Sequence, residues 1–250
     1  MKICVPVKRV VDPYVKVIVK KDESGVETSG AKHAMNPFDE IALEQATKWQ
    51  AQGLTEEIIA VSIGPQAVTE TLRAALARGA DKAIHIHTDK TLEPLHIAKI
   101  LKKIAQDEQV DMIMMGKQAI DDDCSQTGPM LAALLDWPQA TFVSAIEKQE
   151  DCLVCTREVD GGLQTLRVTI PSVITCDLRL NEPSPIPLPK IMKAKSKPLA
   201  TIEVDTLGVD LTAKLQVEKV TSPAAKSPGV RVESVDSLLE QLRDKEKVLS

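Results

Sequence analysis

The sequence has 250 residues and a formal net charge of -5, from 31 Lys and Arg against 36 Asp and Glu. That balance excludes the concentrated basic face needed to neutralise a nucleic-acid backbone, and five aromatic residues (Tyr14, Phe38, Trp49, Trp137 and Phe142) are too few for a base-stacking platform. The 43% hydrophobic fraction is mostly Ala, Val, Ile and Leu, enough for an aliphatic core in one large α/β domain or two small ones.

The opening MKICVPVKRV has an apolar stretch only from Ile3 to Val7, too short for a signal-peptide core, and reads as a buried first strand. No apolar run approaches the ~20 residues of a membrane span. Val15 to Lys20 is a second strand candidate, followed by a polar turn at Lys21–Gly25. Met35-Asn-Pro-Phe-Asp-Glu40 is a helix start: Asn36 can cap, Pro37 suits the first helical position, and Asp39 and Glu40 complement the positive end of the dipole. Strand and helix then alternate. Glu57–Ile63 is a strand, Pro65 opens a helix that Gly79 ends, Lys82–His87 is a strand, Leu92–Gln106 a helix, and Asp111–Met115 a strand. This spacing predicts right-handed parallel crossovers, and the unbroken apolar runs fit strands covered on both faces.

From residue 141 the pattern changes to antiparallel. Phe142–Ile146, Leu153–Val159 and Leu163–Ile170 are strand-like, and Asp160-Gly161-Gly162 is a hairpin turn between the last two. Asn181–Pro198 is rich in proline and lysine, residues 199–232 contain short strands, and Val235, Leu238, Leu239 and Leu242 mark a short amphipathic helix. The expected architecture is α/β: a mostly parallel, doubly wound sheet with an antiparallel extension and an extended C-terminal arm. The expected division is a domain over 1–198, including a segment at about 177–198, and an arm over 199–250.

Five scattered cysteines, an odd number, argue against a disulfide framework and fit a reducing compartment. Cys152 and Cys155 match C-x-x-C but lie three apart on a strand, so they point to opposite faces, and no second pair or nearby His completes a metal site. His85 and His87 share a strand face without a third ligand, and His33 and His96 have no companions. No G-x-G-x-x-G follows the first strand, and no P-loop or serine nucleophile elbow occurs. The chain reads as a binder with no catalytic constellation and no metal centre.

Ligands of such sheets bind beyond the carboxyl ends of the strands, at the topological switch point. Three loops leave such ends: Pro6–Arg9, Ser62–Pro65, and the long run from Gly116 to Thr127. In the last, Lys117 is basic, and Ser125, Gln126, Thr127 and Gly128 lead into a helix whose first amides suit an anion. Asp121, Asp122 and Asp123 could accept hydrogen bonds from ribose hydroxyls, could bind Mg²⁺, or could form a solvated acidic turn.

Lys8-Arg-Val-Val-Asp12, Met35–Glu40, Gly116–Asp123, Asp160-Gly161-Gly162 with Pro171, Asp177–Pro183 and Leu207-Gly-Val-Asp-Leu211 together resemble the beta subunit of the electron transfer flavoproteins, over essentially the whole chain. The resemblance implies a Rossmann-like, adenine-nucleotide-binding fold in a heterodimer whose alpha subunit holds most of the FAD site. It implies structural AMP at Pro6, Asn36, Pro37, Phe38, Asp39 and Ile63, and along Gly116, Lys117, Gln118, Ala119, Ile120, Asp121, Asp122, Asp123, Cys124, Ser125, Gln126 and Thr127. Phe38 and Tyr14 are the expected flavin neighbours; the family's aromatic directly after Lys-Arg-x-x-Asp is replaced here by Pro13, with Tyr14 next. The basic segment is similar to the family's partner-recognition loop, with Leu188 as apolar anchor and Lys190, Ile191, Met192, Lys193 and Lys195 around it. Ser184-Pro-Ile-Pro187 is richer in proline than that family pattern.

The function so implied is carriage of electrons from acyl-CoA dehydrogenases and related flavoenzymes to a membrane quinone reductase, in fatty acid β-oxidation. The terminal helix would pack on the alpha subunit, and the location would be bacterial cytoplasm or, in a eukaryote, the mitochondrial matrix. Two alternatives are a bifurcating-type beta subunit with FAD in the AMP site, and an ATP-using hydrolase or ligase of similar fold.

Overall fold

The apolar runs of the amino-terminal half become the centre of a nine-stranded sheet in the computed structural model, which describes residues 1–226 and 228–249. In chain order the first elements are β1 (Lys2–Pro6), β2 (Arg9–Val11), β3 (Ile18–Val19), β4 (Val26–Glu27), β5 (His33–Met35), α1 (Pro37–Ala51), β6 (Glu57–Gly64) and α2 (Val68–Arg78). Then come β7 (Lys82–His87), α3 (Pro94–Asp107), β8 (Met112–Gly116), α4 (Thr127–Leu135) and β9 (Gln139–Gln149). The remainder holds β10 (Cys152–Val159), β11 (Gly162–Thr169), β12 (Ser172–Cys176), α5 (Leu188–Ala194), β13 (Leu199–Glu203) and α6 (Val235–Glu240).

The sheet runs β11-β10-β9-β12-β8-β1-β6-β7-β13. Strands β12, β8, β1, β6, β7 and β13 are parallel, while β9-β10-β11 form the antiparallel extension. From β1 the chain steps outward through β6 to β7, and α3 then carries it back to β8 on the other side of β1. The switch point is therefore the crevice between β1 and β8.

Alternate residues of each strand enter two cores. Ile3, Val5, Ile58, Met112 and Met114 pack with Leu43, Trp49, Leu72 and Leu76 of α1 and α2. Cys4, Ile59, Val61, Ile113 and Met115 pack with Ile100, Leu101, Ile104 and Leu131 of α3 and α4. Burial on both faces explains the unbroken apolar runs.

Several elements depart from expectation. The strand expected at Val15–Lys20 shrinks to β3, because Val17 and Ile18 are exposed and have nothing to pack against. Arg9, expected in the loop after the first strand, lies with Val10 and Val11 in a strand that pairs with His33–Met35. Strand β12 had no sequence signal of its own beyond a short run, yet it is fully buried between β8 and β9. Asn36 stands at the cap position of α1 but its side chain makes no capping bond.

Residues 1–17 and 27–217 form one compact unit. The boundary expected after 198 falls inside it, because β13 adds to β7 with Leu199 against Ala83 and Glu203 against His87. The second unit comprises residues 18–26 and the described residues from 218 onward. It contains β3, Val26 of β4, a bond from the Val220 amide to the Glu23 carbonyl at 2.9 Å, and α6, capped by the Ser234 hydroxyl and continued by a turn of π-helix over Gln241–Lys245. Val235, Leu238 and Leu239 on α6 are exposed.

Ile113 is fully buried at the centre of the sheet. Ile113→Ala is expected to lower the unfolding free energy by about 2–5 kcal/mol in denaturant titration, whereas Tyr14→Ala, at an exposed site, should change it by no more than about 0.5 kcal/mol.

Candidate functional site

The first turn of α1 sits over the switch point and supplies the group that ties it together. Asp39 is buried, and its carboxylate accepts the Lys8 amide at 2.8 Å and the Gly116 amide at 3.0 Å. These amides belong to the residues at the exits of β1 and β8. Close approach is possible because Gly116 has no side chain: a Cβ there would lie 2.5 Å from Asp39 Oδ1 and 2.6 Å from Phe38 Cβ.

Asn36, freed from capping, works on the loop that follows β8. Its Nδ2 donates to the Gln118 carbonyl at 2.9 Å, and its Oδ1 accepts the Ile120 amide at 3.3 Å. Farther along the same loop, Gln118 donates to Asp123, the Cys124 amide donates to Asp122, and Asp123 and Ser125 adopt left-handed backbone at φ 49° and 52°. Lys8 reaches across from β1, with Nζ 2.8 Å from both Asp121 and Asp122. Burial works against the Lys8 charge, but the two carboxylates outweigh it and hold the ammonium above the usual lysine range.

These ties shape a cavity of about 290 Å³ at the carboxyl ends of β1, β6 and β8, near the lower end of small-ligand clefts. Of the residues singled out by sequence, Pro6, Asn36, Asp39, Ile63, Gly116–Ala119, Asp122 and Cys124–Thr127 line it. Five do not: Pro37 and Phe38, Ile120, Asp121 and Asp123. Asp121 and Asp123 are turned toward Lys8 and Gln118, and Ile120 is tied through its amide to Asn36. The Lys8 ammonium pairs with two of the three aspartates, and among the described residues no three His, Cys, Asp or Glu side chains form a metal cluster.

Lys8 of the Pro6–Arg9 loop also lines the cavity, together with Thr88, Lys90, Leu92, Pro94 and Ile97, which were not singled out by sequence. Most of them follow β7, whose carboxyl end lies on the same sheet edge; applying the strand-end rule to that loop as well would have found them.

Beside the cavity, Lys117 makes an ion pair with Asp177 at 2.7 Å, and its ammonium lies 5.4 Å from the ring centre of Phe38 and 5.1 Å from that of Phe142. Burial raises the Asp177 carboxyl, but the Lys117 bond and the Arg179 amide outweigh it and hold it below the usual carboxylate range. Phe142, at the start of the strand expected over Phe142–Ile146, belongs to this cluster and has a left-handed backbone at φ 59°. Phe38 is buried with the Lys117 ammonium over its ring, whereas Tyr14 is 96% exposed, its amide fixed by Asp12 at 2.9 Å. His85 and His87 do share a strand, but His85 bonds the Gly64 carbonyl and His87 pairs with Glu203. All five cysteines are free, and burial pushes the Cys155 thiol up to about 12.

Burial pushes the Asp39 carboxyl up to about 7, with the Lys8 and Gly116 amides and the Asn36 side chain pulling the other way. A carboxyl raised in the fold binds its proton there more tightly than in the unfolded chain. Its stabilisation is complete below the unfolded value and is lost as pH rises through the folded one. Unfolding free energy measured from about pH 5 to about pH 8 is expected to fall more steeply for the native protein than for Asp39→Asn; equal slopes would refute the assignment.

A model of the electron transfer flavoprotein domain matches residues 24–207. The chain is 54% identical over 249 residues to the electron transfer flavoprotein subunit beta of Bradyrhizobium diazoefficiens, covering 100% of both chains. It is 51% identical to the Dictyostelium discoideum subunit beta, covering 97% of each, and 50% identical to that of Homo sapiens, covering 98% of this chain and 97% of the other. The chain therefore belongs to the electron transfer flavoprotein family, as a beta subunit.

Proposed function

We propose that the chain is the AMP-binding subunit of a heterodimeric electron carrier, with FAD held mainly by an alpha subunit. The observation that carries this reading is the cavity at the switch point. Ile63, Leu92, Ile97 and Met115 give it apolar wall suited to a purine, while Ser125, Gln126 and Thr127 at the start of α4 give it donors suited to a phosphate. One phosphate is the favoured load, because the Lys8 charge is already satisfied by Asp121 and Asp122. AMP bound there would act structurally, adding stability to the fold that binds it.

FAD would supply the electron chemistry. This chain's part is to shape the flavin's surroundings, with Tyr14 exposed and available to it and Phe38 supporting Lys117 nearby. The exposed apolar residues of α6 and of the described C-terminal arm, among them Val235, Leu238, Leu239 and Leu249, fit packing on the alpha subunit. Leu188, 70% exposed, is the anchor for acyl-CoA dehydrogenases and related flavoenzymes, with Lys190, Lys193 and Lys195 steering acidic donors to it. Electrons would pass on to a membrane quinone reductase without insertion of this chain in the bilayer; no helix among the described residues is long and apolar enough to cross one. The chain would work as a carrier subunit without catalysis of its own, in bacterial cytoplasm or the mitochondrial matrix.

The purified chain alone is expected to retain no FAD, and the same chain co-expressed with its alpha subunit is expected to yield a stoichiometric flavin absorbance. A full complement of FAD on the isolated chain would overturn the division of labour.

A further inference from the structure

The Leu188–Ala194 helix is only seven residues long, too short to hold itself together in water, yet it presents Leu188, Ile191 (42% exposed) and Met192 (58% exposed) at i, i+3 and i+4. Its order comes from outside the helix: Ala194 is buried in the core with Ile186 packed against the same cluster, and both ends are held by cations of α2 and the segment just beyond α5. At the carboxyl end, Arg73 Nη1 donates to the carbonyls of Ala194 and Lys197, both at 2.9 Å, satisfying acceptors that a helix end leaves open. Lys197 returns the contact: its Nζ donates to the carbonyls of Leu76 at 3.2 Å and Ala80 at 2.6 Å, at the end of α2.

On the amino-terminal side, Arg78 donates to the Ser184 carbonyl at 2.9 Å while its guanidinium is paired with Glu40 and lies 3.8 Å from Glu44. The Ser184 hydroxyl donates to Glu44 at 2.8 Å, and Asn181 donates to the Ile41 carbonyl at 3.1 Å and to Gln45 at 3.3 Å. Between these ties, Pro185, Pro187 and Pro189 restrict the backbone leading into the helix.

We propose that Arg73, Arg78 and Lys197 are positioning residues for electron-donor docking, which hold the Leu188–Ala194 helix in its docking geometry before a donor arrives. The proposal rests on the reading of Leu188 as the donor anchor. Ordering a segment during association lowers affinity, so clamping it beforehand raises affinity without adding a contact to the donor.

The test uses the FAD-loaded complex of this chain with its alpha subunit, reduced by an acyl-CoA dehydrogenase with its substrate. Native protein, R73Q/R78Q and L188A are compared for KM and kcat toward the carrier, FAD content, and hydrogen exchange at amides 188–197. R73Q/R78Q is expected to raise KM about tenfold with kcat and FAD content little changed, and to speed exchange over 188–197. If L188A raises KM and R73Q/R78Q does not, the positioning role is overturned and the anchor reading stands. If L188A also leaves KM unchanged, the anchor reading itself fails and the proposal falls with it. Should R73Q/R78Q fail to assemble, R78K, which keeps a charge beside Glu40 and Glu44 but loses the forked guanidinium, carries the same comparison; an unchanged KM in R78K together with a raised KM in L188A overturns the proposal.

Discussion

Two backbone amides converge on one buried carboxylate at the switch point, and the site takes its form from that meeting. Asp39 on the first turn of α1 holds Lys8 beyond β1 and Gly116 at the end of β8, the strands on either side of the crevice. Each of the two carboxyl oxygens takes one of these donors. With the strand ends joined, Asn36 can reach the loop after Gly116, and that loop brings Asp121 and Asp122 to Lys8. The cavity is the space left inside this set of ties.

The same helix also holds the segment that leads into α5. While Asp39 faces the crevice, Glu40 and Glu44 pair with Arg78, the Ile41 carbonyl and Gln45 receive Asn181, and Glu44 receives Ser184. One element of fifteen residues thus fixes both the crevice between β1 and β8 and the approach to the exposed Leu188 helix. A shift of α1 would be felt at both places.

Much of this was legible in the residues. Unbroken runs such as EIIAVSI and DMIMM announced buried parallel strands, and Pro37 with Asp39 and Glu40 announced the start of α1. What stayed hidden depended on pairing between distant residues. Arg9–Val11 is a strand only because His33–Met35 lies beside it, and Ser172–Cys176 is one only because β8 and β9 enclose it. Asn36 carries the ordinary signature of a cap, but a loop 82 residues away competes for its amide and wins. Among the site residues, the strand-end loops were found by topology and Thr88 and Lys90 belong to one more such loop, after β7, whereas the pairing of Lys8 with Asp121 and Asp122 depends on side-chain reach that one-dimensional spacing does not encode.

The central claim is that the crevice between β1 and β8 takes a nucleotide of its own, distinct from the flavin held by the alpha subunit. Denaturing the purified heterodimer and counting the released nucleotides tests it most directly. One AMP and one FAD per heterodimer is the expected result; two FAD and no AMP, or FAD with no second nucleotide at all, would contradict it.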